Sequence, residues 1–255
     1  MAIFHFIVVM VLGLIGSFLV NYIGDVFPRA EEKQNLKEYL SPVCGLCKEK
    51  ISWRSFLFFK PCNLCGQNKS KRFWLVLLIV PVLFILEYYF PPQGVSGEWM
   101  ASLVLYFSAV AVIDIEERSI LRSLTIFGWL LTFLIGILSH KLSLTLLGGA
   151  SGLIIMLGLY YAGVFFKKIM EKQKGIEMDE ALGFGDVYIA VMAGFVLAFP
   201  NVIYGLLMAI LMGGLTSLVY LFYMLVKKEY KPFSPIPYAP FIMLSVILIL
   251  YRPIY

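Results

Sequence analysis

Long apolar runs dominate this chain and leave it few folds. Candidate spans lie at about 3–24, 73–90, 98–114, 122–139, 143–166, 185–199, 201–226 and 236–252. About 20 apolar residues cross a bilayer core as a helix, and several of these runs reach that length. Inside lipid every backbone N–H and C=O must be satisfied by the chain itself, so only helices and closed barrels survive. A barrel would show alternating strands of about ten residues, whereas the runs here are continuous. Hydrophobic residues make up 60% of the chain and charged residues 15%, well outside the average soluble domain. The fold expected is an all-α integral membrane protein of about eight transmembrane helices, with a small cytoplasmic loop domain after the first.

That reading divides the chain into a first helix (1–24), a loop domain (25–72) and a seven-helix membrane portion (73–255). No basic segment precedes the first run and no clear small-residue cleavage site follows it, so a retained helix is expected rather than a cleaved signal. Pro91-Pro92 ends the second run, and Pro200-Asn201 separates the sixth from the seventh. If that last break were not real, seven spans would result and the C-terminus would change sides.

Basic residues test the topology. With the N-terminus outside, the loops 25–72, 115–121, 167–184 and 227–235 face the cytoplasm. Counting Arg122 at the edge of the second of these, they hold 19 of the 21 Lys and Arg residues. Only Lys141 and Arg252 fall outside. Positive charge concentrates on the cytoplasmic side of membrane proteins, and the opposite orientation violates that bias. The net charge of +5 is modest. No nucleic-acid partner is expected, and the oligomeric state is open.

The same topology puts two carboxylates at one membrane face. Asp114 ends the third span and Asp186 opens the sixth, within Gly183-Phe184-Gly185-Asp186. Acids at membrane depth are expensive and mark functional sites by default. Gly183 and Gly185 remove side chains just before Asp186, so a substrate backbone can approach closely. The bland alternatives are that Asp114, Glu116 and Glu117 are solvated loop charges, and that Asp186 merely favours a helix N-terminus through the dipole.

All four cysteines fall in the long loop, as Cys44-Gly-Leu-Cys47 and Cys62-Asn-Leu-Cys65 with fourteen residues between the pairs. Paired CxxC knuckles at this spacing predict a tetrahedral structural zinc site. The loop is expected in the cytoplasm, where thiols stay reduced. Zinc would supply folding energy that so small a loop cannot draw from a core. Four free thiols are the alternative. In Pro235-Ile-Pro237-Tyr-Ala-Pro240-Phe, three prolines open the last span and leave backbone groups unpaired, which membranes tolerate where the backbone lines a wet cavity. His5 and His140 are given no role.

Taken in order, these motifs resemble the type IV prepilin peptidases, bacterial inner-membrane aspartyl proteases of the GxGD type. The resemblance rests on Gly16-Ser-Phe-Leu19, the paired CxxC loop, the Asp114 segment with Leu124-Thr125, GFGD at 183–186, and Pro237-Tyr-Ala-Pro240-Phe241. It implies that Asp114 and Asp186 form a catalytic dyad at the cytoplasmic membrane face, with Gly183, Gly185, Pro237 and Pro240 on the substrate side and zinc on Cys44, Cys47, Cys62 and Cys65. It implies prepilins or pseudopilins as substrates, each with a basic leader before an apolar helix. It also implies S-adenosylmethionine, but only if the chain shares the N-methyltransferase activity many members carry. The chain departs from the family pattern at Leu121 and Arg122, where a proline and an acid are usual. It departs again at Val20, where an Asn is usual, at Tyr188, where lysine is common, and after the second CxxC, where Phe73-Trp-Leu-Val replaces a Tyr-Pro-x-x-Glu element. Other readings are a GxGD protease for a different leader, a proton-coupled transporter, and a structural membrane subunit with a zinc knuckle. No internal repeat supports the transporter, and the structural reading leaves the acid pair unexplained.

Overall fold

The computed structural model describes residues 2–34, 39–92, 94–174, 183–227 and 238–251. Its helices are α1 (Ala2–Lys33), α2 (Trp53–Leu57), α3 (Lys71–Tyr89), α4 (Gly97–Glu117), α5 (Arg122–Ser139), α6 (Leu142–Lys174), α7 (Phe184–Leu197), α8 (Asn201–Lys227) and α9 (Ala239–Leu250). No strand occurs among the described residues; one isolated antiparallel bridge joins Val43 and Lys50. Six helices, α1, α3, α4, α5, α6 and α8, are long and apolar enough to cross a membrane, which makes this a multi-pass membrane protein. The other two expected spans are helical but shorter, with 14 residues in α7 and 12 in α9. The break at Pro200 is real: α7 ends at Leu197 and α8 starts at Asn201.

The chain forms two compact units, Met1–Leu124 and Thr125–Tyr255. In the first, α1 packs on α3 and α4, and α3 on α4. Gly13 lets the helices close, since a Cβ there would sit 2.6 Å from the Pro81 Cα. Asn21, displaced by one place from the family position, is fully buried and donates its amide to the carbonyls of Ser17 (3.0 Å) and Phe73 (3.3 Å), tying α1 to the start of α3.

Helix α1 runs to Lys33, well beyond the edge at 24 that hydropathy predicts. Charge begins there, but the helix does not stop, because three of the new charged residues, Asp25, Arg29 and Glu31, find partners in the same unit. Asp25 pairs with Arg72, and Arg29 lies 3.8 Å from Glu49. Glu31 receives the N–H of Arg122 (2.7 Å) and of Ser123 (3.3 Å) and the Ser123 hydroxyl (2.9 Å). A helix N-terminus leaves unpaired N–H groups and favours negative charge. The start of α5 carries Arg122 and no acid, and α1 supplies the carboxylate there from Glu31.

In the second unit α7 is central, packed on α6, α8 and α9. Its 14 residues span about 21 Å, less than the roughly 30 Å of a hydrocarbon core. Nearly every residue from Asp186 to Leu197 is buried, so the helix is enclosed by protein. Close approach of α6 and α7 depends on glycine. A Cβ on Gly152 would meet the Ala190 carbonyl, and one on Gly194 would fall inside the Gly148 carbonyl. Small residues at such seams let membrane helices pack backbone to backbone. Gly194→Val is therefore expected to destabilise the protein by about 1–3 kcal/mol through overpacking. Gly158→Ala, which meets open space, should be neutral or slightly stabilising. Thermal unfolding of both variants in one detergent checks this; equal midpoints would refute the seam.

Candidate functional site

The cysteine loop builds two knuckles of the same design. In the first, the Cys44 N–H donates to the Glu49 carbonyl (2.8 Å) and the Lys48 N–H to the Cys44 carbonyl (2.9 Å). In the second, Cys62 N–H donates to Gln67 (3.0 Å) and Gly66 N–H to Cys62 (2.8 Å). Lys48 and Gly66, each following the second cysteine of its pair, both adopt left-handed backbone, at φ 59° and 65°. Only Gly does so without penalty, so the first knuckle holds a strained Lys48.

The four sulfurs converge to within 4.8 Å of one another, and no disulfide joins them. Cys44 and Cys65 are 3.9 Å apart and Cys47 and Cys62 3.7 Å. A tetrahedron with metal–sulfur bonds of about 2.3 Å has edges of about 3.8 Å, so the donor set fits a zinc knuckle. Lys69 lines the same pocket as Cys44 and Cys62. Burial pulls its ammonium down, while Asp25 and those two thiolates pull it up. A cation there offsets the negative charge of a four-thiolate site.

The knuckles are tied to the end of α4. Lys48 pairs with Glu117, and Arg72 bridges Asp25 and Glu116, the latter at 2.8 Å. The Asp25 carboxylate also lies against Gly45, where a Cβ would come within 2.8 Å of its Oδ1. These contacts flank Asp114. Its backbone carbonyl receives the N–H of Arg118 (3.0 Å), which closes α4 in left-handed conformation at φ 49°. The Asp114 side chain is only 6% exposed, and its buried Oδ2 has no hydrogen-bond partner among the described residues. It is not a solvated loop charge.

Asp186 lies in the second unit, in the first turn of α7, and is also 6% exposed. Its Oδ2 accepts the Gly183 N–H at 3.2 Å, and its own N–H donates to the Gly183 carbonyl at 3.1 Å. The helix-capping role that the sequence allows is thus present. Gly183 is exposed and Gly185 half-buried. Pro240 sits in the first turn of α9, while Pro237 lies outside the described residues. The pattern of prolines passes over Tyr238, yet this is the side chain that α9 brings toward the acid: the Asp186 charge acts on its hydroxyl. Its ring packs on α8, where a Cβ at Gly213 would come within 2.6 Å of Tyr238 Cε2. An aromatic in a proline-rich entry carries no periodic signal, so sequence alone could not single it out.

Residues 100–218 match the model of the type IV leader peptidase family. The chain is also 29% identical over 163 residues to a prepilin leader peptidase/N-methyltransferase of Klebsiella pneumoniae, covering 59% of this chain. It spans 66% of that relative's length. No solved structure matches. Asp114 and Asp186 both fall inside the family match, each buried at the end of an apolar helix. Over residues 100–218, the segment that holds both acids, the chain is similar to the type IV leader peptidase family.

Proposed function

We propose that the chain is a membrane aspartyl endopeptidase that removes the basic leader from type IV prepilins or pseudopilins. The observation that carries this reading is the pair of buried carboxylates, Asp114 and Asp186, both within the family match. In this mechanism one carboxylate is ionised and takes a proton from water. The water attacks the scissile carbonyl, and the other, protonated, acid polarises the carbonyl oxygen. A working dyad of this kind requires that its two carboxyls titrate as a coupled pair, since close carboxyls do not both ionise. Gly183 and Gly185 leave room for the substrate backbone, and Pro237 and Pro240 are assigned to the substrate side in this reading.

The charge bias supports an N-terminus outside and cleavage at the cytoplasmic face, and the family match supports a bacterial inner-membrane location. The four cysteines hold a structural zinc in the loop 25–72, which ion pairs tie to the end of α4 at the start of the proposed peptidase portion, 73–255. S-adenosylmethionine enters only if the new N-terminus is also methylated, an activity named for the Klebsiella pneumoniae relative.

Co-expression with a prepilin and mass spectrometry of the product tests the proposal. Cleavage directly after a basic leader is expected, and the mass of the new N-terminus reads methylation at once. Persistence of the full-length precursor would refute it. Tyr238→Phe is expected to lower cleavage by several-fold, less than loss of either acid, with unchanged accumulation. Wild-type rates would remove Tyr238 from the site.

A further inference from the structure

The segment Trp53-Arg-Ser-Phe-Leu-Phe-Phe-Lys60 lies between the two cysteine knuckles and supplies no sulfur to either, although Lys60 lines the cavity beside Cys44 and Cys62. Ser52 caps its short helix, accepting the Ser55 N–H at 3.2 Å. One face is built into the first unit. Phe56 is 1% exposed and packs on Phe18, Tyr22 and Phe73, with ring centroids 5.9–6.2 Å away. Phe59 stacks on Trp74 at 5.2 Å and meets Phe18 at 5.8 Å. The other face is largely uncovered: Trp53 stacks one side of its ring on Tyr22 at 5.1 Å yet is 49% exposed, Leu57 is 44% exposed and Phe58 70%. Phe59 holds left-handed backbone at φ 55°, a strained state for a bulky residue, and the turn it makes leaves Phe58 uncovered.

The depth of this patch follows from its neighbours. Phe18 is seven residues before Asp25 on α1, about 10 Å toward the apolar end at 1.5 Å per residue. Trp74 follows Arg72, the partner of Asp25, and is itself exposed beside Leu75 and Leu78 on the outer face of α3. Phe59 therefore sits on the membrane side of the Asp25–Arg72 pair, and the bare patch runs on into the lipid-facing surface of α3. Amphipathic segments at a bilayer interface sink their apolar face about 5–10 Å. The charge pattern agrees. Arg54 and Lys60 flank the patch, Lys50, Lys69, Lys71 and Arg72 surround it in sequence, and no Asp or Glu occurs from 50 to 72. Juxtamembrane basic clusters of this kind attract anionic headgroups.

We propose that Trp53–Lys60 is an interfacial anchor for anionic phospholipid: Trp53, Leu57 and Phe58 enter the headgroup boundary, and Arg54 and Lys60 meet lipid phosphates. The anchor holds the cysteine loop against the bilayer beside α1 and α3. It does not depend on the peptidase reading, only on α1 and α3 crossing the membrane.

The test places photoreactive benzoylphenylalanine at Phe58 of the full chain in nanodiscs of mixed phosphatidylcholine and phosphatidylglycerol, with the same probe at Leu78 as a lipid-facing reference. Irradiation should give lipid adducts at both positions by intact mass. At position 58, phosphatidylglycerol should be over-represented relative to its share of the bilayer, and Arg54→Glu with Lys60→Glu should remove that excess without changing the adducts at 78. Adducts at 78 but none at 58 would overturn the proposal, as would crosslinking of position 58 to an added prepilin in place of lipid. A second measurement needs no unnatural residue. The fluorescence difference between wild type and Trp53→Phe should be quenched by brominated lipid and spared by aqueous iodide; the reverse pattern also overturns it.

Discussion

Asp114→Asn and Asp186→Asn are each expected to lower prepilin cleavage by about 10²–10⁴-fold, the range a positioned acid or base contributes, while leaving the fold intact. Asparagine keeps the size of aspartate but can neither take a proton from water nor give one to a carbonyl. The two positions make different stability predictions. Among the described residues the buried Oδ2 of Asp114 has no partner, and an unsatisfied buried carboxylate oxygen is a liability to the fold. Asp114→Asn should therefore unfold at the same temperature as wild type or higher. Asp186 accepts the Gly183 N–H, and Asn caps helices about as well as Asp, so Asp186→Asn should keep that contact. Asp186→Ala should lose both the contact, at about 1 kcal/mol, and the activity. Groups that act as a unit are non-additive, so the double Asn variant should be no slower than the worse single. Normal processing by either Asn variant sinks the dyad. A loss of processing matched by a loss of folded protein would assign Asp186 to capping alone.

Purified protein is expected to carry one zinc per chain, and Cys44→Ser or Cys62→Ser should release it. Structural zinc supplies folding energy directly, about 10–16 kcal/mol in isolated knuckle peptides. Residues 39–70 contain one five-residue helix and a single bridge, too little to order the loop alone. Loss of metal should thus expose this stretch to protease while α1 and α3 stay protected. It should also reach the site. Lys48 and Arg72 hold Glu117 and Glu116, which directly follow the turn bearing Asp114. A partial fall in cleavage is expected, smaller than that of the Asn variants, and Arg72→Ala should share it without losing zinc. Metal-free protein whose cysteine variants resist protease like wild type would end the zinc assignment.

Much of the fold was legible because membranes impose a simple rule. Apolar length and loop charge placed α3, α4, α5 and α8 within a few residues of their observed bounds. The CxxC spacing marked all four sulfurs that converge. Hydropathy failed where charged residues continue a helix, as in α1 to Lys33 and α6 to Lys174. It treats charge as a boundary, whereas Asp25 and Glu31 are satisfied by partners 47 or more residues away.

The sequence by itself determined an all-helical membrane chain, a four-cysteine cluster and two acids at helix ends, because each depends on local composition or short spacing. Only the tertiary structure decided that both acids are buried, that one caps its helix while the other keeps an oxygen unpaired among the described residues, and that Glu31 supplies the carboxylate at the start of α5. It alone brought Tyr238 toward Asp186 and Phe59 onto Trp74. Those facts depend on which side chains meet across helices distant in sequence, and a one-dimensional pattern of hydropathy and charge carries no record of such meetings.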